Sequence, residues 1–281
     1  MFWRKNKKST KPESKESTDY RAIALTDLGN IRTNNEDQVL FYRPTDPGQR
    51  KAKGHLAIVA DGMGGHAAGE VASSMAVKLI KQNYYAATLP TADALANAMV
   101  QANQAIFQEA SRSEKRLGMG TTCTAVAILD NALFVAHIGD SRAYLMQDNH
   151  LYQLTTDHTY VQDLLDAGKI DPVEAVHHPQ RNVLTRALGT QADRKADVFR
   201  AEFPMTPGSQ LLLCTDGLYE YFTSEEMLQI LSTYKLHEAA ERLIQGAKDR
   251  GGHDNLTVLL VTTLEENTVS EYPTQFLNER S

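Results

Sequence analysis

Nine short apolar runs of strand type lie between residues 21 and 263, and they are grouped instead of alternating with helices. They cover 21–26, 38–42, 55–60, 122–129, 132–137, 142–146, 198–203, 210–214 and 257–263. Each is rich in β-branched or bulky apolar residues and short enough for a buried strand. Two long amphipathic patterns, 70–85 and 92–113, stand together after the third run. A second pair, 224–233 and 237–250, stands together before the last. Paired helices between groups of strands do not give the strict β-α-β alternation of a doubly wound parallel sheet. The order predicts an α+β fold, with antiparallel sheets packed together and helices over their outer faces.

The strand-and-helix pattern fills 20–264, which reads as a single domain. With 42% hydrophobic residues in 281, the chain can bury a sizeable core. Residues 1–19 carry six Lys/Arg against three Asp/Glu and no periodicity, so they read as a disordered basic arm. Met1-Phe2-Trp3 ahead of the lysines reads as part of that solvated arm. Residues 265–281 read as an irregular tail. The total charge of −6 leaves the remainder at about −9 once the arm's +3 is set aside. An acidic body has no general electrostatic attraction for nucleic acid or anionic lipid.

Cys123 and Cys214 each lie inside an apolar run and read as buried thiols of a reducing compartment. No apolar stretch is long enough to span a bilayer, and MFWRKNKKST lacks the apolar segment of a secretory signal. The expectation is a cytoplasmic protein with no membrane span, monomeric by default.

Carboxylates recur at the ends of the runs. LAIVADG ends on Asp61-Gly62, LFVAHIGDSR places Asp140 just after a run, and LLLCTDGLYE gives Asp216-Gly217. GGHDNLTVLLV sets Asp254 immediately before a run, and RTNNEDQVL does the same with Glu36 and Asp37. One Asp-Gly pair is an ordinary turn. Five such boundaries from remote segments point instead to convergence at one end of packed sheets.

If they converge, several carboxylates in one pocket repel, and some stay protonated unless a cation neutralises them. An all-oxygen donor set without a His/Cys cluster favours Mg²⁺ or Mn²⁺ over Zn²⁺. Two divalent cations sharing a bridging carboxylate can activate water and accept phosphate oxygens. Glycine beside the acid lets a main-chain carbonyl turn toward a cation. Arg32, four residues before Glu36, is the candidate for gripping a substrate phosphate, because a guanidinium can hold two of its oxygens.

The segments RTNNED, VADGMGGHAAGE, MGTTCTAVAIL, HIGDSRAYL, LTTDHTYVQDLLDAGKI, HPQRNVLTRALG, LLCTDGL and GGHDNLTVLLV form an ordered set. In order and spacing the set resembles the metal-dependent protein phosphatases, the PPM or type 2C serine/threonine phosphatases, and most of all their compact bacterial branch. The resemblance runs from about residue 21 to 263. It implies a β-sandwich flanked by helix pairs and hydrolysis of phosphoserine and phosphothreonine in proteins, with signalling partners that include a serine/threonine kinase. It also implies two divalent cations and a weaker third site.

Residue by residue, the resemblance makes Asp61 the carboxylate between the two cations and Gly62 a carbonyl ligand. Asp216 and Asp254 would complete the second cation's shell, and Glu36 and Asp37 would hold waters around the pair. Asp140, with Asp216, would hold the third cation, and Arg32 would clasp the substrate phosphate. Residues 155–189 fall where the family has its flap. Within them Arg181, His177 and His178 read as surface or structural residues. Met63 stands where many eukaryotic members have a histidine that protonates the leaving oxygen. Water on the cations, or His66 three residues later, would supply that proton here.

Two rivals fit less of the chain. Gly62-Met63-Gly64-Gly65-His66-Ala67 matches a dinucleotide-binding G-x-G-x-x-A loop, but Asp61 would oppose a pyrophosphate and no acid ends a second strand some 20 residues on. An inactive binding module of the same fold should have lost at least one of Asp61, Asp216 and Asp254, and all three are present.

Overall fold

The computed structural model describes residues 20–64, 68–112 and 114–263. The expected arm and tail lie outside them, as does His66. The chain runs through β1 (Tyr20–Asp27), β2 (Asp37–Tyr42), a short helix α1 (Pro47–Lys53) and β3 (His55–Met63). The pair α2 (Ala68–Ala86) and α3 (Thr91–Ala110) follows. Next come β4 (Gly120–Thr121), β5 (Cys123–Leu129), β6 (Ala132–Ile138), β7 (Arg142–Gln147) and β8 (His150–Gln153). Short helices α4 (Tyr160–Asp166) and α5 (Pro172–Val176) precede β9 (Asp197–Arg200) and β10 (Gln210–Cys214). The chain then forms α6 (Asp216–Tyr219), α7 (Ser224–Thr233), α8 (Leu236–Asp249) and β11 (Leu256–Thr263).

One sheet has the order β1-β11-β10-β7-β8 and the other β2-β3-β5-β6-β9, with β4 extending the pairing of β3. Neighbouring strands are antiparallel throughout. The apolar runs are continuous because both faces of each sheet are covered. In β3, Ala57 and Val59 face the space between the sheets, while Leu56 and Ile58 face α2 and α3. In β10, Leu211 and Leu213 pack between the sheets, and Leu212 and Cys214 join Leu231 and Leu243 under α7 and α8. The result is helix pair, sheet, sheet, helix pair, with three buried apolar layers between them.

Elements that bury little were not expected. β8 is an exposed edge strand, joined to β7 by Asp148 and Asn149, both at positive φ (50° and 59°), the backbone of a tight hairpin turn. Helix α1 is polar, and its start is set by Asp46, whose side chain accepts from Gln49 N–H, followed by Pro47. α3 stops at Ala110, before the expected 113, and β9 stops at Arg200, before the expected 203. The expected strand over 122–129 is interrupted at Thr122, for a reason the candidate site explains.

Leu213 is fully buried between the sheets. Leu213→Ala should cost about 2–5 kcal/mol of unfolding free energy by urea titration, the range for a cavity in a core that cannot collapse. A cost near zero would mean that the two sheets do not pack through this layer.

Candidate active site

The strand ends of both sheets meet at one edge of the sandwich. Asp37 opens β2 and lies in register with Asp61 on β3. Asp216 is the first residue of α6, directly after β10, and Asp254 lies in the loop before β11. Asp140 sits in the turn between β6 and β7. Arg32 and Glu36 lie in the loop between β1 and β2. A cleft of about 680 Å³ is lined by Arg32, Glu36, Asp61, Gly62, Asp140, Asp216 and Asp254 together with eight residues of the 182–194 segment, Arg186 and Arg194 among them. Asp37 is buried behind this wall. Every expected residue that the structure describes is therefore at this edge. Arg181 instead lies 4.0 Å from Glu220, and the His178 ring accepts from Gln180 N–H.

The backbone clamps are specific. Asp61 N–H donates to Thr122 Oγ1 at 2.9 Å in place of a carbonyl, while Thr122 N–H donates to Asp61 O at 2.9 Å. Thr121 Oγ1 donates to the same Asp61 carbonyl at 2.8 Å. This substitution of hydroxyl for carbonyl is what interrupts the strand at Thr122. Thr122 also meets Ser141 Oγ at 2.7 Å, which ties Asp61 to the Asp140 turn. His158 holds that turn from the other side, giving its N–H to Gly139 O at 2.7 Å and accepting Gly139 N–H on Nδ1 at 3.0 Å.

Two further clamps cross between the sheets. Thr215 Oγ1 donates to Asp37 Oδ2 at 2.8 Å. Asn255 Oδ1 accepts Glu36 N–H at 2.8 Å, and its Nδ2 reaches Leu28 O and Asn34 O. Glycine is required where these loops touch: a Cβ on Gly29, at φ 73°, would lie 2.1 Å from Asp254 O.

Electrostatics follow from burial. Desolvation, then the charges of Asp37, Asp216, Asp140 and Asp254, push the Asp61 carboxyl well above the usual range. Burial and Asp216 do the same to Asp140. Burial lifts Asp37 to about 7 against the hydrogen bonds of Thr257 and Thr215, and burial with Asp254 lifts Asp216 to about 6. Asp37 Oδ1 and Asp216 Oδ1 are buried with no hydrogen-bond partner.

Among the described residues no three His, Cys, Asp or Glu side chains are drawn together around one point as a metal cage. Asp254 and one oxygen of Asp37 are instead engaged by local donors. Asp254 Oδ2 takes Arg32 Nη2 at 2.6 Å and its Oδ1 takes Asn255 N–H at 2.8 Å. Both partners of the Arg32–Asp254 pair are well exposed, so it contributes about 0.2–1 kcal/mol and yields readily to a stronger partner. Two unpartnered buried oxygens in an all-oxygen donor set fit a hard cation, and Asp61, Asp216, Asp254, Asp140, Asp37 and Glu36 with the Gly62 carbonyl are the groups at hand.

The model of the family described as protein phosphatase 2C matches residues 33–260, most of the chain. The chain belongs to the protein phosphatase 2C family. It is 41% identical over 242 residues to the serine/threonine phosphatase stp of Listeria welshimeri, covering 84% of this chain and 93% of that protein. The crystal structure of the Mycobacterium tuberculosis serine/threonine phosphatase PstP superposes with a TM-score of 0.76 at 38% identity, covering 86% of this chain and 98% of that one. The catalytic domain of PstP in complex with two manganese ions gives a TM-score of 0.75 at 36% identity, covering 88% and 99%. Membership of this phosphatase 2C family makes the chain a protein-serine/threonine phosphatase, a hydrolase of phosphoric monoesters, akin to bacterial members. The family assignment displaces the dinucleotide reading, and Gly62 and Met63, the first two residues of that motif, lie within β3, paired with Thr121 and Gly120.

The raised Asp37 carboxyl has a measurable consequence in cation-free protein. Its folded value of about 7 exceeds the unfolded one, so the native state binds a proton that the unfolded chain has lost, and stability falls as pH rises from about 4 to 7. His137, pushed down to about 3 by burial, pulls the opposite way below about 6.5, so a single-site comparison is needed. The advantage of Asp37→Asn over wild type, read as a urea midpoint in EDTA, should grow from pH 5 to pH 8. An advantage that shrinks over that range would contradict the assignment.

Proposed function

We propose that phosphoserine and phosphothreonine are hydrolysed at the carboxylate edge by water activated between two divalent cations, Mn²⁺ or Mg²⁺, with a weaker third cation site at Asp140 and Asp216. The observation that carries the reading is the pair of buried, unpartnered carboxylate oxygens on Asp37 and Asp216 within a group of mutually repelling acids. The manganese in the related PstP catalytic domain supports the choice of metal. When bound, such cations lower the pKa of water and draw off charge from phosphate oxygens.

The chain's own groups set the rest. Asp61, between Asp37 on its own sheet and Asp216 from the other, is the candidate bridge, with Gly62 offering its carbonyl beside it. Asp254 and Asp216 would hold one cation when it is bound, and Glu36 and Asp37 would orient water around the pair. Arg32, whose hold on Asp254 is weak and exposed, turns to two phosphate oxygens and fixes the phosphorus relative to the attacking water. Met63 has no acidic proton, so the serine or threonine oxygen that leaves would take its proton from water at the cations or from His66, three residues along the chain. Residues 182–187 form part of the cleft wall, in keeping with a flap over 155–189 that meets the substrate. On this reading the partners are cytoplasmic phosphoproteins and the kinase that makes them, met by a monomer.

Phosphate release from a phosphothreonine peptide should require Mn²⁺ or Mg²⁺ and stop in EDTA. Asp216→Asn should lower turnover by roughly a hundredfold or more, since several kcal/mol of charge stabilisation is lost. Manganese should also raise the melting temperature of wild type, and do so less for Asp216→Asn. Turnover unaffected by EDTA, or an Asp216→Asn variant as active as wild type, would refute the mechanism.

A further inference from the structure

Three cationic side chains line the cleft: Arg32, Arg186 and Arg194. Two of them are already matched. Arg32 is paired with Asp254. Arg186 forks onto Asp197, with Nη2 on Oδ1 at 2.7 Å and Nη1 on Oδ2 at 3.2 Å, and gives a further bond to Lys195 O at 2.6 Å. Arg194 is different. Among the described residues its guanidinium forms no ion pair, and its Nε is shielded from water with no acceptor.

Arg194 is also presented by a held loop. Asn103, buried on α3, donates to Gln191 O at 2.9 Å and Ala192 O at 3.1 Å and accepts Gly189 N–H at 2.8 Å. Leu188 and Thr121 exchange backbone hydrogen bonds at 2.9 and 3.0 Å, which fastens the same loop to β4 beside Asp61. Half-buried on a fixed loop, the guanidinium lines the cleft with no ion-pair partner among the described residues. Its closed Nε edge fixes the group, and its cleft-facing charge is matched by an anion and not by a neutral peptide carbonyl.

We propose that Arg194 is a specificity-determining residue that binds an anionic group flanking the phosphorylated residue, either an acidic side chain or a second phosphate on the same polypeptide. The inference rests on the reading of the carboxylate edge as the site of the reacting phosphate. A cleft of about 680 Å³ takes more than one small group, and its carboxylate end and Arg194 share it. A peptide whose phosphomonoester sits at the carboxylates then has its neighbouring residues against the 182–194 wall. The preference resides in binding, not in the chemical step, so it reads out in KM.

The test uses the full chain with Mn²⁺ and three phosphothreonine peptides that differ only in residues flanking the phosphothreonine on both sides: alanine, glutamate or a second phosphoserine. For wild type, KM for at least one anionic peptide should lie about fivefold below that for the alanine peptide, with kcat similar. Arg194→Gln should erase the difference, and Arg194→Lys should keep part of it. Preference for the glutamate peptide identifies a carboxylate as the anion; preference for the doubly phosphorylated peptide alone identifies a phosphate. Equal KM values in wild type, which needs no variant to fold, overturn the proposal, and so does a preference that survives in Arg194→Gln. Cleavage of none of the three overturns the phosphate site and this subsite together, whereas cleavage without anion preference overturns the subsite alone.

Discussion

The carboxylates of Asp37 and Asp140, buried, and of Asp61 and Asp216, partly buried, repel one another, and the rest of the structure is organised around holding them together. Burial raises the proton affinity of each, and their mutual charge raises it further. The protein relieves this only in part with cationic side chains, Arg142 acting on Asp140 and Arg32 on Asp254. It uses neutral clamps: the hydroxyls of Thr121, Thr122 and Thr215, the amide of Asn255 and the ring of His158. Most of these bonds position the backbone, and Thr215, which bonds the Asp37 carboxylate itself, supplies no positive charge. A site neutralised from within would have no use for a cation from solution.

Positioning depends on the seam between the sheets. Asp37 and Asp61 come from one sheet, Asp216 and Asp254 from the ends of strands in the other, and Asp140 from the turn that crosses between them. Thr215 to Asp37 and Asn255 to Glu36 are bonds across that seam. Any shift of one sheet over the other would therefore change the carboxylate spacing directly. The apolar layers on both faces of each sheet resist that shift, because a close-packed interior has few alternative registers. Fold stability and site geometry are in this sense one property.

The layers and the acids were legible in the chain for a common reason. Both leave a strong local pattern: continuous apolar runs where two faces are covered, and a carboxylate with glycine where a run stops. The clamps were not legible, because a threonine in MGTTCTAV or an asparagine in HDNLTV looks like any polar residue until its partner, 61 or 219 positions away, is known. The edge strand β8 and helix α1 bury too little to leave an apolar period, although Asp46-Pro47 and Asp148-Asn149 carry the turn chemistry that places them. Arg194 is the least legible of all, since its significance lies in lacking a partner, which only the packing of its neighbours reveals.

The three cleft arginines show how an acidic body can receive an anion. An overall negative charge repels a phosphopeptide at long range, but screening confines that repulsion to about a Debye length, near 8 Å in physiological salt. Inside the cleft the local arrangement decides. Arg186 is committed to Asp197 and helps hold the wall. Arg32 is lent to Asp254 in an exposed pair that competes poorly with a doubly charged phosphate. Of the three, Arg194 alone forms no ion pair among the described residues. On the proposed reading, a substrate's surroundings are met by a guanidinium with no ion pair among the described residues, and its phosphate by carboxylates that leave buried oxygens unpartnered, so opposite charges are left open for the two tasks within one cleft.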